Sequence, residues 1–203
     1  MNHFIGLVGT NSDNSTNRKL LQFMQKHFSA DKATIELMEI KNFPVFNKPE
    51  TNQLPEVVKN AAEKIHQSDG VIISTPEYDH SIPAALTNAL NWLSYGIYPF
   101  VDKAVMITGA SYGTLGSSRA QSHLRQILDA PELKARIMPS SEFLLGHSLE
   151  AFDENNMLKD QNQVKRLDGL FKDFQAFVEL TNQLTNAHEA NQQEAENFDW
   201  ETI

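Results

Sequence analysis

The sequence has 203 residues, of which 40% are hydrophobic, so we expect one domain over residues 1–185 and an appended segment. It contains no cysteine, which excludes disulfides, thiolate nucleophiles and cysteine-ligated metals and fits a reducing, cytoplasmic environment. The formal net charge of −9 argues against nucleic acid or an anionic membrane as a partner, because both require a basic surface.

The last part of the chain, residues 186–203, contains five acidic residues and neither lysine nor arginine, which leaves about −4 for the rest. It is also rich in amide side chains, so we expect an acidic and mostly disordered tail. Phe198 and Trp200 are its candidates for docking on the body or on another subunit. The amino terminus lacks the basic and apolar regions of a signal peptide, and no apolar run is long enough to span a membrane.

The first predicted strand, residues 4–9, is followed by a polar segment and then by a helix with an apolar face. We call this polar segment, residues 10–17, the first loop; it is dense in hydroxyl and amide side chains. The helix behind it offers free N–H groups and the positive end of its dipole, which together suit a phosphate. The alternative is an ordinary turn in which Asn14 or Ser15 only caps the helix.

A second strand is predicted over residues 34–40, an apolar surface loop over 43–47 and a second helix over 54–66. The third strand, residues 70–73, is a short apolar run that suits a strand covered on both faces. Pro76 ends it, and Pro83 opens the third helix. The segment between them, residues 76–81, is the second loop.

The fourth strand, residues 103–108, leads into a segment rich in glycine and serine. Its part at residues 111–116 is the third loop, and Gly109, Gly113 and Gly116 would let the backbone approach a flat ligand closely. The spacing is neither a dinucleotide fingerprint nor a P-loop, and an ordinary flexible turn is the alternative. A helix over 119–128, a short strand over 135–138 and a long amphipathic helix over 163–184 complete the domain.

Strands that alternate with helices predict a parallel sheet. We expect an α/β, three-layer doubly wound, flavodoxin-like fold with five parallel strands in the order 2-1-3-4-5. In that order the first, third and fourth strands are neighbours, so the three loops lie at one edge of the sheet, where ligands bind in such folds.

The three loops together resemble those of the NAD(P)H-dependent FMN reductase family, whose members include quinone, azo-dye and chromate reductases. The segment PEYDHSIPAALTNALNWLS, residues 76–94, is similar almost position by position to the family's PEYN-x-S-x-P-x-x-L-K-N-x-x-D-W. A second match is the segment at 109–116, followed by Arg-Ala-Gln at 119–121 and Leu-Arg at 124–125. The resemblance covers roughly residues 3–180.

The resemblance implies a non-covalently bound FMN whose phosphate is held by the first loop. NADPH or NADH would be the electron donor. No catalytic side chain and no metal is implied, since the flavin carries the redox chemistry. The residues that the resemblance assigns to cofactor binding are Thr10, Ser12, Ser15, Thr16, Asn17, Pro76, Glu77, Tyr78, Asp79, Ser111, Tyr112, Gly113 and Gly116.

The chain departs from the family pattern at two of these positions. Ser12 replaces the usual arginine of the first loop, which removes a charge that would face the phosphate. Asp79 replaces the more common asparagine, and an ionised carboxylate near the ring would lower the flavin potential. His80, in the same loop, is a further candidate for a contact near the flavin. The other histidines lack the spacing of a zinc site.

The predicted reaction is electron transfer from NAD(P)H through FMN to a small acceptor, by ping-pong kinetics. Quinones, azo compounds, free flavin and metal oxyanions remain open as acceptors. The alternative is a flavodoxin-type carrier or a flavin-binding interaction protein without NAD(P)H turnover of its own. Members of the family form homodimers or homotetramers, for which our contact candidates are Trp92, Tyr95, Tyr98 and Phe100.

Overall fold

The computed structural model describes residues 1–31, 33–49, 53–139 and 142–199. In these ranges the strands are β1 (Asn2–Val8), β2 (Ala33–Glu39), β3 (Gly70–Ser74), β4 (Ala104–Ala110), β5 (Arg136–Ile137) and β6 (Phe143–Leu145). The helices are α1 (Thr16–His27), α2 (Glu56–Gln67), α3 (Ala84–Trp92), α4 (Ser118–Leu128), α5 (Gln161–Thr181) and α6 (His188–Glu196), with a 3₁₀ turn at Phe28–Asp31. Within the described ranges, none of the helices combines the length and the apolar character that a membrane span requires.

The sheet is parallel and has the strand order β2-β1-β3-β4-β5, so the predicted flavodoxin-like order is confirmed. A sixth strand was not predicted. β5 pairs with the start of β4 and β6 with its end, where Thr108 lies opposite Phe143 and Ala110 opposite Leu145. The sequence analysis ended the last strand at Pro139, because a three-residue strand is too short to show a period.

The two faces of the sheet are covered by different helices, which confirms the three-layer arrangement. Side chains of β1, β3 and β4 alternate between the faces because the side-chain period of a strand is two residues. Ile5, Val71 and Val105 pack in the core beneath α2, α3 and α4. Phe4 and Met106 pack in the second core, beneath α1 and α5. All five side chains are fully buried, so these central strands are apolar on both faces.

The carboxyl-terminal segment contains a helix that the sequence analysis missed. The expectation of a mostly disordered tail is wrong for α6, where Ala195 is fully buried. The carboxylate of Asp102 accepts hydrogen bonds from His188 Nδ1 at 2.8 Å and Asn191 Nδ2 at 3.0 Å. These contacts join residues more than 80 positions apart, so local composition could not reveal them. Phe198 is half-buried, and Trp200 lies outside the described residues.

Gly109 lies where the backbone of β4 passes closest to its neighbours. A Cβ atom there would meet Ser117 Oγ at 1.8 Å and the backbone oxygen of Thr75 at 2.6 Å. We predict that Gly109→Ala lowers the free energy of unfolding by at least about 2 kcal/mol, because the buried backbone has no room to move. Urea denaturation followed by circular dichroism measures this.

The matched control is Gly169→Ala, on the exposed face of α5, where a new Cβ meets no atom within 4 Å. This variant should be more stable than the parent by about 0.5–1 kcal/mol, since alanine favours the helix. Equal effects at the two positions would contradict the packing described around Gly109.

Candidate active site

The three loops that follow β1, β3 and β4 meet at one edge of the sheet and enclose a cavity of about 520 Å³. This size is in the usual range for small-molecule and cofactor sites. The residues that line the cavity are Ser12, Asn14, Ser15, Thr16, Asn17, Pro76, Glu77, Tyr78, His80, Ala110, Ser111, Tyr112, Gly113, Thr114, Leu115 and Arg119.

Most of the residues assigned to cofactor binding line this cavity, and three do not. Thr10, which begins the first loop, is buried, and its hydroxyl accepts a hydrogen bond from the N–H of Ser12 at 3.2 Å. Gly116 has a φ of +58° and packs on the backbone of β6 at Leu144. Asp79 is exposed in a turn. Six further residues line the cavity although the resemblance did not assign them to cofactor binding: Asn14, His80, Ala110, Thr114, Leu115 and Arg119.

Asn17 connects the first loop to the sheet and is almost fully buried. Its Nδ2 donates to the carbonyl of Ala110, and its Oδ1 accepts from the N–H of the same residue, both at 2.9 Å. The same Oδ1 accepts from the hydroxyl of Ser74, also at 2.9 Å. Ser74 and Ala110 end β3 and β4, so one amide ties the start of α1 to both strands. Its side chain therefore positions the first loop on the sheet, and Asn17 also lies in the cavity lining.

The start of α1 is built from hydroxyl side chains. Ser15 is the N-cap, and its Oγ accepts a hydrogen bond from the N–H of Arg18 at 3.1 Å. The cap interpretation is therefore confirmed, but the hydroxyl hydrogen of Ser15 can still donate towards the cavity. Backbone N–H groups in the first turn of a helix lack intrahelical partners, and the helix dipole adds a positive field. The same turn can thus cap the helix and bind an anion.

Charged groups hold the outer side of the first loop. The guanidinium of Arg18 contacts both carboxylate oxygens of Glu39, at 2.5 and 2.8 Å, and this hydrogen bonding raises the pKa of Arg18. Asp13 forms an exposed ion pair with Lys41, whose hydrogen bond lowers the pKa of Asp13. Both cations are therefore paired on the outside of the loop.

The second loop contains a tight two-residue turn. Tyr78 and Ser81 exchange backbone hydrogen bonds at 3.0 and 2.9 Å, and the residues between them, Asp79 and His80, have φ angles of 50° and 64°. This is the geometry of a type I′ turn, in which asparagine is preferred. The turn points the Asp79 carboxylate into solvent, outside the cavity lining. Any effect of its charge on a flavin would be screened by water, so we expect the effect to be small.

Glu77 has a structural role that the sequence did not reveal. Its carboxylate accepts hydrogen bonds from the N–H groups of Arg119 at 3.0 Å and Ala120 at 3.4 Å, at the start of α4. The second loop thereby caps the helix that follows the third loop. The Arg119 guanidinium is half exposed and only 3.5 Å from the same carboxylate. Among the described lining residues Arg119 is the one permanent cation.

The third loop rests on a further segment, residues 146–148, which we call the support loop. His147 and Ser148 donate backbone hydrogen bonds to the carbonyls of Gly113 and Ser111, at 3.1 and 3.0 Å. The hydroxyls of Ser148 and Thr16 are 2.9 Å apart, so the support loop also contacts α1. Gly113 is the one glycine of the predicted three with open space where its Cβ would lie. At Gly109 and Gly116 a Cβ would meet atoms of the protein itself, so both glycines are needed for internal packing.

The aromatic connection after α3 does not provide the contact surface expected of it. Trp92 is buried and donates its indole N–H to the carbonyl of Pro44 at 2.8 Å, and Phe100 is fully buried. Tyr95 is half-buried, with its hydroxyl 3.2 Å from a backbone oxygen, and burial raises the pKa of Tyr98. The loop at 43–49 packs on Trp92 and Tyr95, so Trp92 belongs to the core of the single chain.

Exposed apolar side chains lie instead at the mouth of the cavity. Tyr78, Tyr112 and Leu115 are 48%, 60% and 49% exposed. His80 lies beside them, and Ser81 is 2.6 Å from His123 Nδ1 on α4. In the part of the chain that the structure describes, His, Asp and Glu side chains do not gather into a group of three able to hold a metal.

The residues present fit an FMN in chemical terms. One end of the cavity offers the hydroxyls and the amide of Ser12, Ser15 and Asn14 at a helix start, which suits a phosphate. The other end offers an open glycine backbone at Gly113 and an aromatic mouth, which suit a flat ring.

The Asn17 amide gives a direct stability prediction. We expect Asn17→Ala to lower the free energy of unfolding by about 2–4 kcal/mol, because the N–H and C=O of Ala110 and the hydroxyl of Ser74 would lose their partner. Urea denaturation measures the loss. Asn14→Ala, at the cavity surface, is the control and should change stability by less than about 1 kcal/mol. A loss of the same size in both variants would show that Asn17 does not connect the loops.

Comparisons with known proteins agree with the site. The family model described as NADPH-dependent FMN reductase matches residues 3–150. The NADH:(hydroxy)cinnamate reductase subunit CrdA of Vibrio ruber is 54% identical over 182 residues, which are 90% of each chain. The NADH-dependent flavin reductase subunit 2 of Lactobacillus johnsonii is 42% identical over 86% of this chain and 96% of its own.

Among solved structures, the flavoenzyme NAD(P)H:(acceptor) oxidoreductase FerB of Paracoccus denitrificans superimposes with a TM-score of 0.77. It is 27% identical and covers 90% of this chain and 98% of its own. The chain therefore belongs to the NADPH-dependent FMN reductase family and is an oxidoreductase that uses NAD(P)H and FMN.

Proposed function

We propose that the chain binds FMN in the cavity at the sheet edge and passes electrons from NAD(P)H to a small acceptor such as a quinone, an azo compound, free flavin or a metal oxyanion. The observation that carries this proposal is one cavity with a helix start at one end and an apolar mouth at the other. The first end suits the anionic part of the cofactor. The second suits the flat ring and a nicotinamide beside it.

Each loop has a separate part in binding. In the first loop, Ser12, Ser15 and Thr16 and the N–H groups of the helix start would hold the phosphate. The backbone at 76–78 and the third loop at 111–113 would flank the ring. FMN, when bound, supplies the redox chemistry, and the chain supplies binding, orientation and exclusion of water. We assign no catalytic side chain.

The donor and the acceptor would use the same cavity mouth in turn, which favours ping-pong kinetics. Tyr78 and Tyr112 would stack against flat molecules of either kind. Arg119 would attract an anionic group of either molecule, because it lies in the lining and its guanidinium is 3.5 Å from the Glu77 carboxylate, which is longer than a strong ion pair.

A second candidate function is that of an electron-transferring subunit. The relatives that are 54% and 42% identical are both named as subunits of NADH-dependent reductases. This supports a chain that accepts electrons from NADH and passes them to a partner protein, with little turnover of its own. The partner would cover the exposed apolar side chains at the mouth.

Three further assignments belong to this proposal. We infer that a second copy of the chain, as homodimer or homotetramer, covers the mouth in the stand-alone enzyme, because Tyr112 and Leu115 are exposed there. We place the reductase unit in residues 1–185, with 186–203 as an appended acidic segment. A cytoplasmic location is supported by the absence of cysteine.

The test is anaerobic reduction of the FMN-loaded protein by NADH and by NADPH, followed by steady-state turnover with a quinone. Prompt bleaching by either nucleotide, with parallel double-reciprocal plots, is the expected result for the enzyme. Bleaching without turnover would favour the subunit, and a yellow protein indifferent to both nucleotides would favour a carrier. A colourless protein that takes up no FMN would remove all three.

A charge placed at Ser15 tests the phosphate end alone. Aspartate caps helices as well as serine does, so Ser15→Asp should keep the melting temperature. The new negative charge would repel the phosphate and weaken FMN binding about a hundredfold or more, with riboflavin binding unchanged. Fluorescence titration measures both affinities. Ser15→Asn, a neutral cap of the same size, is the control, and equal FMN affinity of the two variants would contradict the assignment.

A further inference from the structure

Arg18 is the third residue of α1, and its side chain is only 17% exposed. Its Nη1 donates to the backbone carbonyls of Ser12 and Asp13, at 2.8 and 2.9 Å. Its Nε and Nη2 donate to the two carboxylate oxygens of Glu39, the last residue of β2. One guanidinium therefore ties the first loop to the end of a strand in the sheet.

The two carbonyl contacts fix the direction of two peptide units. In a trans peptide the C=O and the N–H point in opposite directions, and the described residues contain no cis peptide. With the carbonyls of Ser12 and Asp13 turned to Arg18, the N–H groups of Asp13 and Asn14 point away from it. Ser12 and Asn14 line the cavity on either side of these peptides. The arginine thus orders backbone donors at the end assigned to the phosphate.

Glu39 determines which role the arginine can have. The bidentate contact uses two of the guanidinium nitrogens and compensates the positive charge. An arginine that contacted the phosphate directly would be hindered by such a carboxylate. An arginine that only shapes the loop is helped by it, because the carboxylate fixes the guanidinium plane.

We propose that Arg18, held by Glu39, is a positioning residue of the first loop and sets the preference of the chain for FMN over riboflavin. This inference rests on the proposed function, in which the first loop holds the phosphate. Arg18 would support the first loop from outside the cavity. In the lining, Ser12 stands where the family usually has an arginine, so this position carries no charge.

The test compares charge-matched variants by flavin fluorescence titration with FMN and with riboflavin. Arg18→Gln should raise the Kd for FMN about ten- to a hundredfold and leave the Kd for riboflavin unchanged, since two ordered donors are lost. Lys19→Gln removes the same charge from the next, exposed residue of α1 and should leave both Kd values unchanged. Equal effects of the two variants would overturn the proposal, because net charge alone would then explain them.

Glu39→Gln distinguishes positioning from direct attraction by the sign of its effect. If Arg18 positions the loop, this variant weakens FMN binding. If Arg18 attracts the phosphate directly, the freed charge strengthens FMN binding, and the proposal is overturned. If circular dichroism shows that Arg18→Gln does not fold, Arg18→Lys is used instead. Lysine keeps the positive charge but lacks the planar guanidinium that makes several hydrogen bonds, so this variant should also lose the preference for FMN.

The affinities of the parent protein for FMN and for riboflavin distinguish failure of this inference from failure of the proposed function. Equal affinity of the parent for FMN and riboflavin would refute a phosphate site in the first loop. A parent that prefers FMN, with variants at Arg18 that keep the same preference, would refute only the positioning role.

Discussion

The site depends on one buried amide. The side chain of Asn17 makes three hydrogen bonds to the ends of β3 and β4, so the start of α1 is held at a fixed place above the sheet. A parallel sheet in the order found here brings the three loops near one another, but it does not set their mutual distance. The amide does that, because loss of any partner would leave a buried polar group unpaired.

The electrostatics follow from this geometry. In the proposed site, a chain with a net charge of −9 would bind an anionic cofactor by local means: a helix start, hydroxyls and directed N–H groups. The cations near the first loop, Arg18 and Lys41, face outward to Glu39 and Asp13. Affinity for the phosphate would then come from ordered donors and depend little on long-range attraction. Arg119, the one permanent cation among the described lining residues, lies at the start of α4 and would be available to the reaction partners.

The sequence was sufficient for the strand order and for the three loops, because apolar runs and turn residues are local signals. The features that the sequence did not predict depend on contacts between residues far apart in the chain. Glu77 caps α4 from 42 residues away, the support loop reaches Thr16 from residue 148, and α6 docks through Asp102. Asp79 is exposed in a two-residue turn and is not among the described lining residues, which the sequence pattern did not indicate. Trp92 was expected at a subunit contact and is buried instead, because the loop that covers it is distant in sequence.

A crystal structure of the chain grown with FMN tests the central claim most directly. We expect the phosphate within hydrogen-bond distance of the Ser15 hydroxyl and the first N–H groups of α1, with the ring between the second and third loops. A phosphate bound away from residues 10–17, or a ring that contacts neither residues 76–78 nor 111–113, would contradict it.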